Sequence, residues 1–242
     1  MKLGQNFLID KRVAERQIKY ANLKKDDIVL EIGAGYGILT KRIARIAKVI
    51  AIEIDERFIE SLQQIRNVEV IHADALAIDL NDFDFNKVIS NLPYKISSPI
   101  TFKLLDRGFE LAILMYQKEF ASRLVAKPDS KEYSKLSVMA YYKANFELLE
   151  EVPPKAFRPI PKVSSCIVKV VPIGRRFDVD EKIFYRVTDA LFKHRRKKIK
   201  NALSIEGFDF DTIPYGEKRV EQLEPEKIAY IANYLTKYGK NF

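Results

Sequence analysis

The chain has few of the residues that staple or metallate a small protein. One of its 242 residues is cysteine, Cys166, which excludes an internal disulfide framework and a cysteine-rich metal site. The two histidines, His72 and His194, stand far apart and neither lies in a ligand-spaced cluster, so no metal is expected. No apolar run approaches the length that crosses a bilayer. The start, Met1-Lys2-Leu3-Gly4-Gln5, has no charged leader followed by an apolar stretch, so no secretory signal and no membrane partner are expected. A lone thiol fits a reducing, cytoplasmic setting.

Positive charge is what the chain has in excess. Lysine and arginine number 42 against 33 acids, a net charge of +9, and a large polyanion is the natural partner. Apolar content is 47 %, enough for a sizeable core.

Periodicity organises the rest. Asp10 caps a helix running to about Ala21, with Val13, Gln17, Ile18 and Ala21 on one side. Short apolar runs then alternate with helical patterns. Strands are expected at 28–32, 49–52, 68–71, 87–90 and 111–115, with helices at 38–47, 56–64, 99–105 and 118–125 between and after them. A helix at 134–142 and strands at 146–152 and 166–171 follow. Strand–helix alternation of this kind builds a doubly wound, mostly parallel sheet, here of seven strands. From Asp180 onward only helical patterns remain, at about 181–203 and 225–237. The expected division is a domain over 1–174 and a small helical domain over 175–242.

Three features fall at successive strand ends. Gly33-Ala34-Gly35-Tyr36-Gly37 follows the first strand of the sheet, where glycines let a ligand approach the backbone and the helix start favours negative charge. The third glycine comes one place too early for the dinucleotide fingerprint, so a ligand without a pyrophosphate is favoured. Glu53 ends the next strand, 20 residues after Gly33, where an acid can hold both ribose hydroxyls. Asp74 follows the strand after that, where a carboxylate can accept from an adenine amine. The outline is an adenosine-shaped site, and S-adenosylmethionine fits it.

Asn91-Leu92-Pro93-Tyr94 follows the fourth strand. The Asn91 side-chain oxygen and the Leu92 carbonyl can accept from one amine, Pro93 stiffens the turn, and Tyr94 can offer its face to a flat ring. Alone, the same residues read equally well as an ordinary turn with a tyrosine covering the core. Beside a methyl donor they read as a pocket for an exocyclic amine. The run Lys193-His194-Arg195-Arg196-Lys197-Lys198-Ile199-Lys200, placed in a helix, would carry charge on nearly every face and fits RNA phosphates.

Gly4-Gln5-Asn6-Phe7-Leu8, the glycine turn, Asp74-Ala75-Leu76, the Asn-Leu-Pro-Tyr tetrad and Phe157-Arg158-Pro159-Ile160-Pro161-Lys162-Val163 together resemble the small-subunit ribosomal RNA adenine dimethyltransferases. The likeness runs from residue 4 to about 171 and more loosely beyond. The glycine turn is generic to class I methyltransferases, whereas the combination of the other motifs is specific. The resemblance implies a class I, Rossmann-like fold and S-adenosylmethionine as methyl donor without a metal. It implies donor contacts from Gln5, Asn6, Leu8, Gly33, Gly35, Glu53, Ile54, Asp74, Ala75 and Asn91. Catalysis and base holding would fall to Asn91, Leu92, Pro93, Tyr94 and Phe157. The implied substrate is small-subunit rRNA in an assembling subunit, dimethylated at two adjacent adenosines by a monomeric enzyme. A large-subunit rRNA methylase of the same fold, and an RNA-binding assembly factor with little catalysis, are the alternatives.

Overall fold

The computed structural model of the protein describes residues 6–239. They fall into two units that do not follow chain order: residues up to Ala121 with Phe146–Pro172, and Ser122–Asn145 with residues from Ile173 onward.

The first unit is built on a seven-stranded sheet. In chain order its elements begin with β1 (Phe7–Leu8), α1 (Lys11–Ala21) and β2 (Ile28–Ile32), then α2 (Thr40–Ile43), β3 (Lys48–Glu53), α3 (Glu56–Gln63) and β4 (Val68–His72). β5 (Lys87–Asn91), α4 (Ser97–Arg107), β6 (Leu111–Gln117) and α5 (Lys118–Leu124) follow. After α6 (Lys135–Lys143) come β7 (Ala144–Val152), β8 (Phe157–Arg158) and β9 (Ser165–Pro172). The sheet order is β4-β3-β2-β5-β6-β9-β7, and β1 pairs with β8 in a separate two-stranded ribbon. The five strands from β4 to β6 pair parallel, and β9 runs antiparallel to β6.

Central strands carry apolar residues on both faces because both faces are covered. Val29, Leu30, Val88, Ile89, Ile113 and Leu114 are all buried. α1 begins where Asp10 accepts from the Arg12 amide at 2.9 Å and ends at Asn22, whose φ of 45° breaks the helix. Its apolar face, Val13, Ala14, Ile18 and Ala21, enters the core. The helix expected at 38–47 is regular only over Thr40–Ile43, with tighter turns on either side.

Strand order sets the place of the site. The chain steps outward from β2 to β3 and β4, then returns to lay β5 on the other side of β2. At this reversal, loops leaving the carboxyl ends of β2 and β5 diverge and open a crevice.

The second unit contains α6, α7 (Glu181–Lys193), α8 (Ile199–Ile205) and α9 (Pro225–Tyr238). Its boundary differs from the expected cut near residue 174, because Ser122–Asn145 joins the tail. The reason is apolar: α6 is buried at Leu136, Val138, Met139, Ala140 and Tyr142, and the Tyr142 ring lies 5.0 Å from that of Phe184 on α7. The single helix expected over 181–203 is also broken. Residues 194–198 form a turn, with Lys198 bridging to Arg219. The basic run therefore folds around carboxylates. Lys193 and His194 reach Glu206 at 2.7 and 2.9 Å, and Lys198 reaches Glu217 at 2.8 Å. No helix among the described residues is long and apolar enough to cross a membrane.

Candidate active site

The loop after β2 turns on glycines with positive φ, +75° at Gly33 and +52° at Gly35, a region that side chains adopt at a cost. A Cβ on Gly33 would lie 3.6 Å from the Pro93 ring, and one on Gly35 would crowd the Phe7 ring at 3.0 Å. Gly35 thus lets Phe7 close over the loop, while at Gly33 it is the positive φ that calls for glycine. Phe7, Tyr36 and Phe58 stack edge to face, with centroids 4.8–5.5 Å apart.

Glu53 ends β3 and is 3 % exposed. Its two oxygens accept from the Gly35 amide at 2.8 Å and the Asp55 amide at 2.9 Å. Each carboxylate oxygen keeps a further lone pair. Asp74, beyond β4, is exposed and accepts from the Leu76 amide at 2.9 Å. Beneath the loop, on β2, Glu31 is buried and accepts from the Thr40 hydroxyl at 2.7 Å. Burial pushes its carboxyl up to about 8, against the pull of the Thr40 hydrogen bond and with a smaller push from Glu53.

Asn91 closes β5, held in register by β6 at Met115. Its Oδ1 is buried and has no hydrogen-bond partner among the described residues. Leu92 is buried, Pro93 covers Gly33, and Tyr94 Oη lies 2.7 Å from Ser165 Oγ on β9. Burial raises the Tyr94 phenol above its ordinary value, with the Ser165 hydrogen bond opposing.

These strand ends enclose one cavity of about 220 Å³. Of the residues expected from sequence, Asn6, Gly33, Glu53, Ile54, Asp74 and Ala75 stand on its wall, as do all four tetrad residues. Gly35 does not line it and instead directs its amide to Glu53. Leu8 and Phe157 lie off the wall as well. They sit opposite each other in the β1–β8 ribbon and are buried in the core. The Phe157 ring packs in that core, and Phe7 and Tyr94 are the aromatic residues on the cavity wall. Gln5 lies outside the described residues. Phe7, Ile32, Ile52, Ala73, Lys95 and Ile96 are wall residues that sequence reasoning missed, although Phe7 lies within a motif it found and the others stand close to one. The ribbon that brings Phe7 in has two residues a strand, too few to leave a periodicity, and is fixed by the Ile9 amide donating to the Ala156 carbonyl at 2.8 Å.

Similarity to known proteins follows the same lines. A protein of Methanococcus maripaludis strain C5 named "Probable ribosomal RNA small subunit methyltransferase A" is 47 % identical, covering 97 % of each chain. One of the same name from Methanothermobacter thermautotrophicus is 46 % identical, covering 96 % of this chain and 89 % of its own. Among solved structures, a dimethyladenosine transferase from Plasmodium falciparum superposes with a TM-score of 0.83 at 28 % identity, covering 96 % of this chain and 99 % of its own. The 23S rRNA methyltransferase ErmE superposes at 0.70 and 27 % identity, covering 96 % of this chain and 100 % of its own. A family model described as ribosomal RNA adenine dimethylase matches residues 1–237. With the sheet, the strand-end acids and the Asn-Leu-Pro-Tyr corner in one cavity, the chain belongs to the ribosomal RNA adenine dimethylase family.

Proposed function

We propose that the protein uses S-adenosylmethionine to place two methyl groups on the exocyclic amine of each of two adjacent adenosines near the 3′ end of small-subunit rRNA. It would act as a monomer on an assembling subunit in the cytoplasm. The observation that carries this reading is Asn91 Oδ1, a buried acceptor on the cavity wall with no partner among the described residues. Leaving such a group unpaired costs about 1–3 kcal/mol, and a ligand that brings an N–H removes that cost.

The cavity suits the donor. Glu53, fixed by two amides, has lone pairs left for ribose hydroxyls, and Asp74 stands where a donor's adenine amine would end. Gly33 leaves room for the donor's backbone approach. The bound donor supplies an electrophilic methyl carbon on a sulfonium.

The chain's own residues do the rest. An adenine amine is a weak nucleophile because its lone pair is delocalised into the ring. Asn91 Oδ1 and the Leu92 carbonyl draw its two hydrogens and turn the lone pair toward the methyl, so orientation and charge complementarity lower the barrier. No strong base is required, since the amine becomes acidic as it is alkylated. The base must be unpaired or flipped out, and stacking on Tyr94 offsets that cost by about 1–3 kcal/mol.

The first unit would hold the donor and the base, and the second would meet RNA phosphates through the basic run Lys193–Lys200 and through Arg175, Arg176, Lys218 and Arg219. Exposed ion pairs such as Lys198–Glu217 contribute little net stability, so their cations remain available to phosphate. The likeness to ErmE supports a second reading, a large-subunit substrate. The higher identity to relatives named for the small subunit favours the first. Incubation with labelled donor and either unmethylated small subunits or naked large-subunit rRNA, followed by mapping of modified bases, decides between them. Dimethyladenosine in small subunits is expected, and label confined to large-subunit rRNA overturns the proposal.

A further inference from the structure

The cavity wall holds one contact that methyl transfer itself does not require. Tyr94 Oη and Ser165 Oγ share a hydrogen bond of 2.7 Å, with either oxygen able to donate. Ser165 is fully buried at the start of β9, in register opposite Gln117 at the end of β6. Its hydroxyl is therefore as fixed as the sheet. Tyr94 stands on a single turn of 3-10 helix, Tyr94–Ile96, which by itself holds a ring loosely. The bond ties a loop-borne ring to a rigid strand. A phenylalanine could stack as well but could not be tied.

We propose that Ser165 is a positioning residue whose hold on the Tyr94 ring governs the second methyl transfer more than the first. The inference rests on the adenine dimethylation proposed above. An unmethylated amine has two N–H groups for two acceptors, Asn91 Oδ1 and the Leu92 carbonyl. In the first transfer the nitrogen bonds the methyl carbon, the carbon–sulfur bond breaks with its electron pair going to sulfur, and one N–H proton passes to water. The product amine keeps one N–H. When the monomethylated base is next aligned, one acceptor goes unanswered and the polar grip is weakened. The face of the base is unchanged, so stacking on Tyr94 supplies a larger share of the alignment. A ring free to swing then costs the second step more than the first.

The test uses the full chain with Ser165→Ala and, separately, Tyr94→Phe. Single-turnover reactions on unmethylated small subunits are digested, and mono- and dimethyladenosine are separated. Ser165→Ala is expected to slow the second transfer about fivefold to tenfold, the worth of one hydrogen bond, and the first by less than about twofold. Tyr94→Phe, which changes the stacking ring itself, is expected to lower the ratio of second to first transfer by the same factor. Monomethyladenosine then accumulates while donor affinity stays unchanged. The double variant is expected to show the same ratio as either single, because both remove one bond. Equal slowing of both transfers, or an unchanged product ratio, overturns the proposal. Tyr94→Phe leaves β9 intact and decides the matter even where Ser165→Ala does not fold. A wild-type chain that transfers no methyl at all overturns the function proposed above instead, and is seen before any variant is made.

Discussion

Strand β5 treats buried polarity in opposite ways at its two ends. At the amino end, Lys87 is 7 % exposed and Asp27 beside it 5 %. Lys87 Nζ donates to Asp27 Oδ2 at 2.8 Å and to the Ala21 and Asn22 carbonyls at 3.3 and 3.1 Å. Asp27 also accepts from the Lys24 amide at 2.6 Å and from Asn86 Nδ2 at 2.9 Å. Burial alone would raise the Asp27 carboxyl, but these donors outweigh it and hold it below its ordinary value. At the carboxyl end, four residues on, Asn91 presents a buried acceptor that no group among the described residues answers. Where the partners lie within the chain, a polar group serves the fold. Where the partner must arrive from outside, it serves the chemistry.

The largest effect expected from breaking this contrast is at the open end. Asn91→Ala should lower single-turnover methyl transfer by about 10²–10³-fold, the scale seen when an oriented polar group is lost from a reacting centre. Thermal stability should hardly change, because the side chain gives up an unpaired acceptor. A variant that melts much lower yet still transfers methyl would erase the difference between the ends. The closed end should show the reverse. Lys87→Met leaves Asp27 buried without its cation and should cost about 3–5 kcal/mol in urea unfolding, while activity per folded molecule is kept. The acid side of the stability profile sharpens the point. Asp27 has a depressed folded value, so its contribution is present above its unfolded value of 3.8 and is lost as pH falls through the folded one. Lys87→Met should lose that acid-side dependence.

Both ends of β5 carry residues whose identity is plain in the sequence, yet only one end could be interpreted there. The tetrad, which alone reads as an ordinary turn, was legible because Gly33, Glu53 and Asp74 fall at neighbouring strand ends. Lys87 was read as the first residue of an apolar strand, and nothing local marks that Asp27, 60 positions earlier, would meet it. The same limit explains Phe157. Its motif identified the family, but its packing against Leu8 depends on a two-residue ribbon too short to leave a periodicity. The broken helix after Lys193 was hidden because charged residues fit a helix and a turn alike. Its geometry comes from Glu206 and Glu217, which approach from later in the chain.

Glu31 offers a third way to hold a buried polar group, and the smallest of the expected effects. It lies on β2, beside β5, with one hydroxyl partner and, among the described residues, no cation. Burial instead pushes its carboxyl to about 8, so the folded chain keeps it neutral. Below the unfolded value of 4.5 the group is protonated in both states and contributes nothing to pH dependence. Between 4.5 and 8 the unfolded chain ionises while the folded chain does not, so stability falls as pH rises. Above that range both states are charged and the penalty is constant. Glu31→Gln keeps an acceptor for Thr40 but cannot ionise. It should match wild type in urea unfolding near pH 4 and exceed it by about 2–3 kcal/mol at pH 7. Stability curves that run parallel for the two proteins from pH 4 to 8 would mean that Glu31 is charged in the fold, and that a cation answers it as Lys87 answers Asp27.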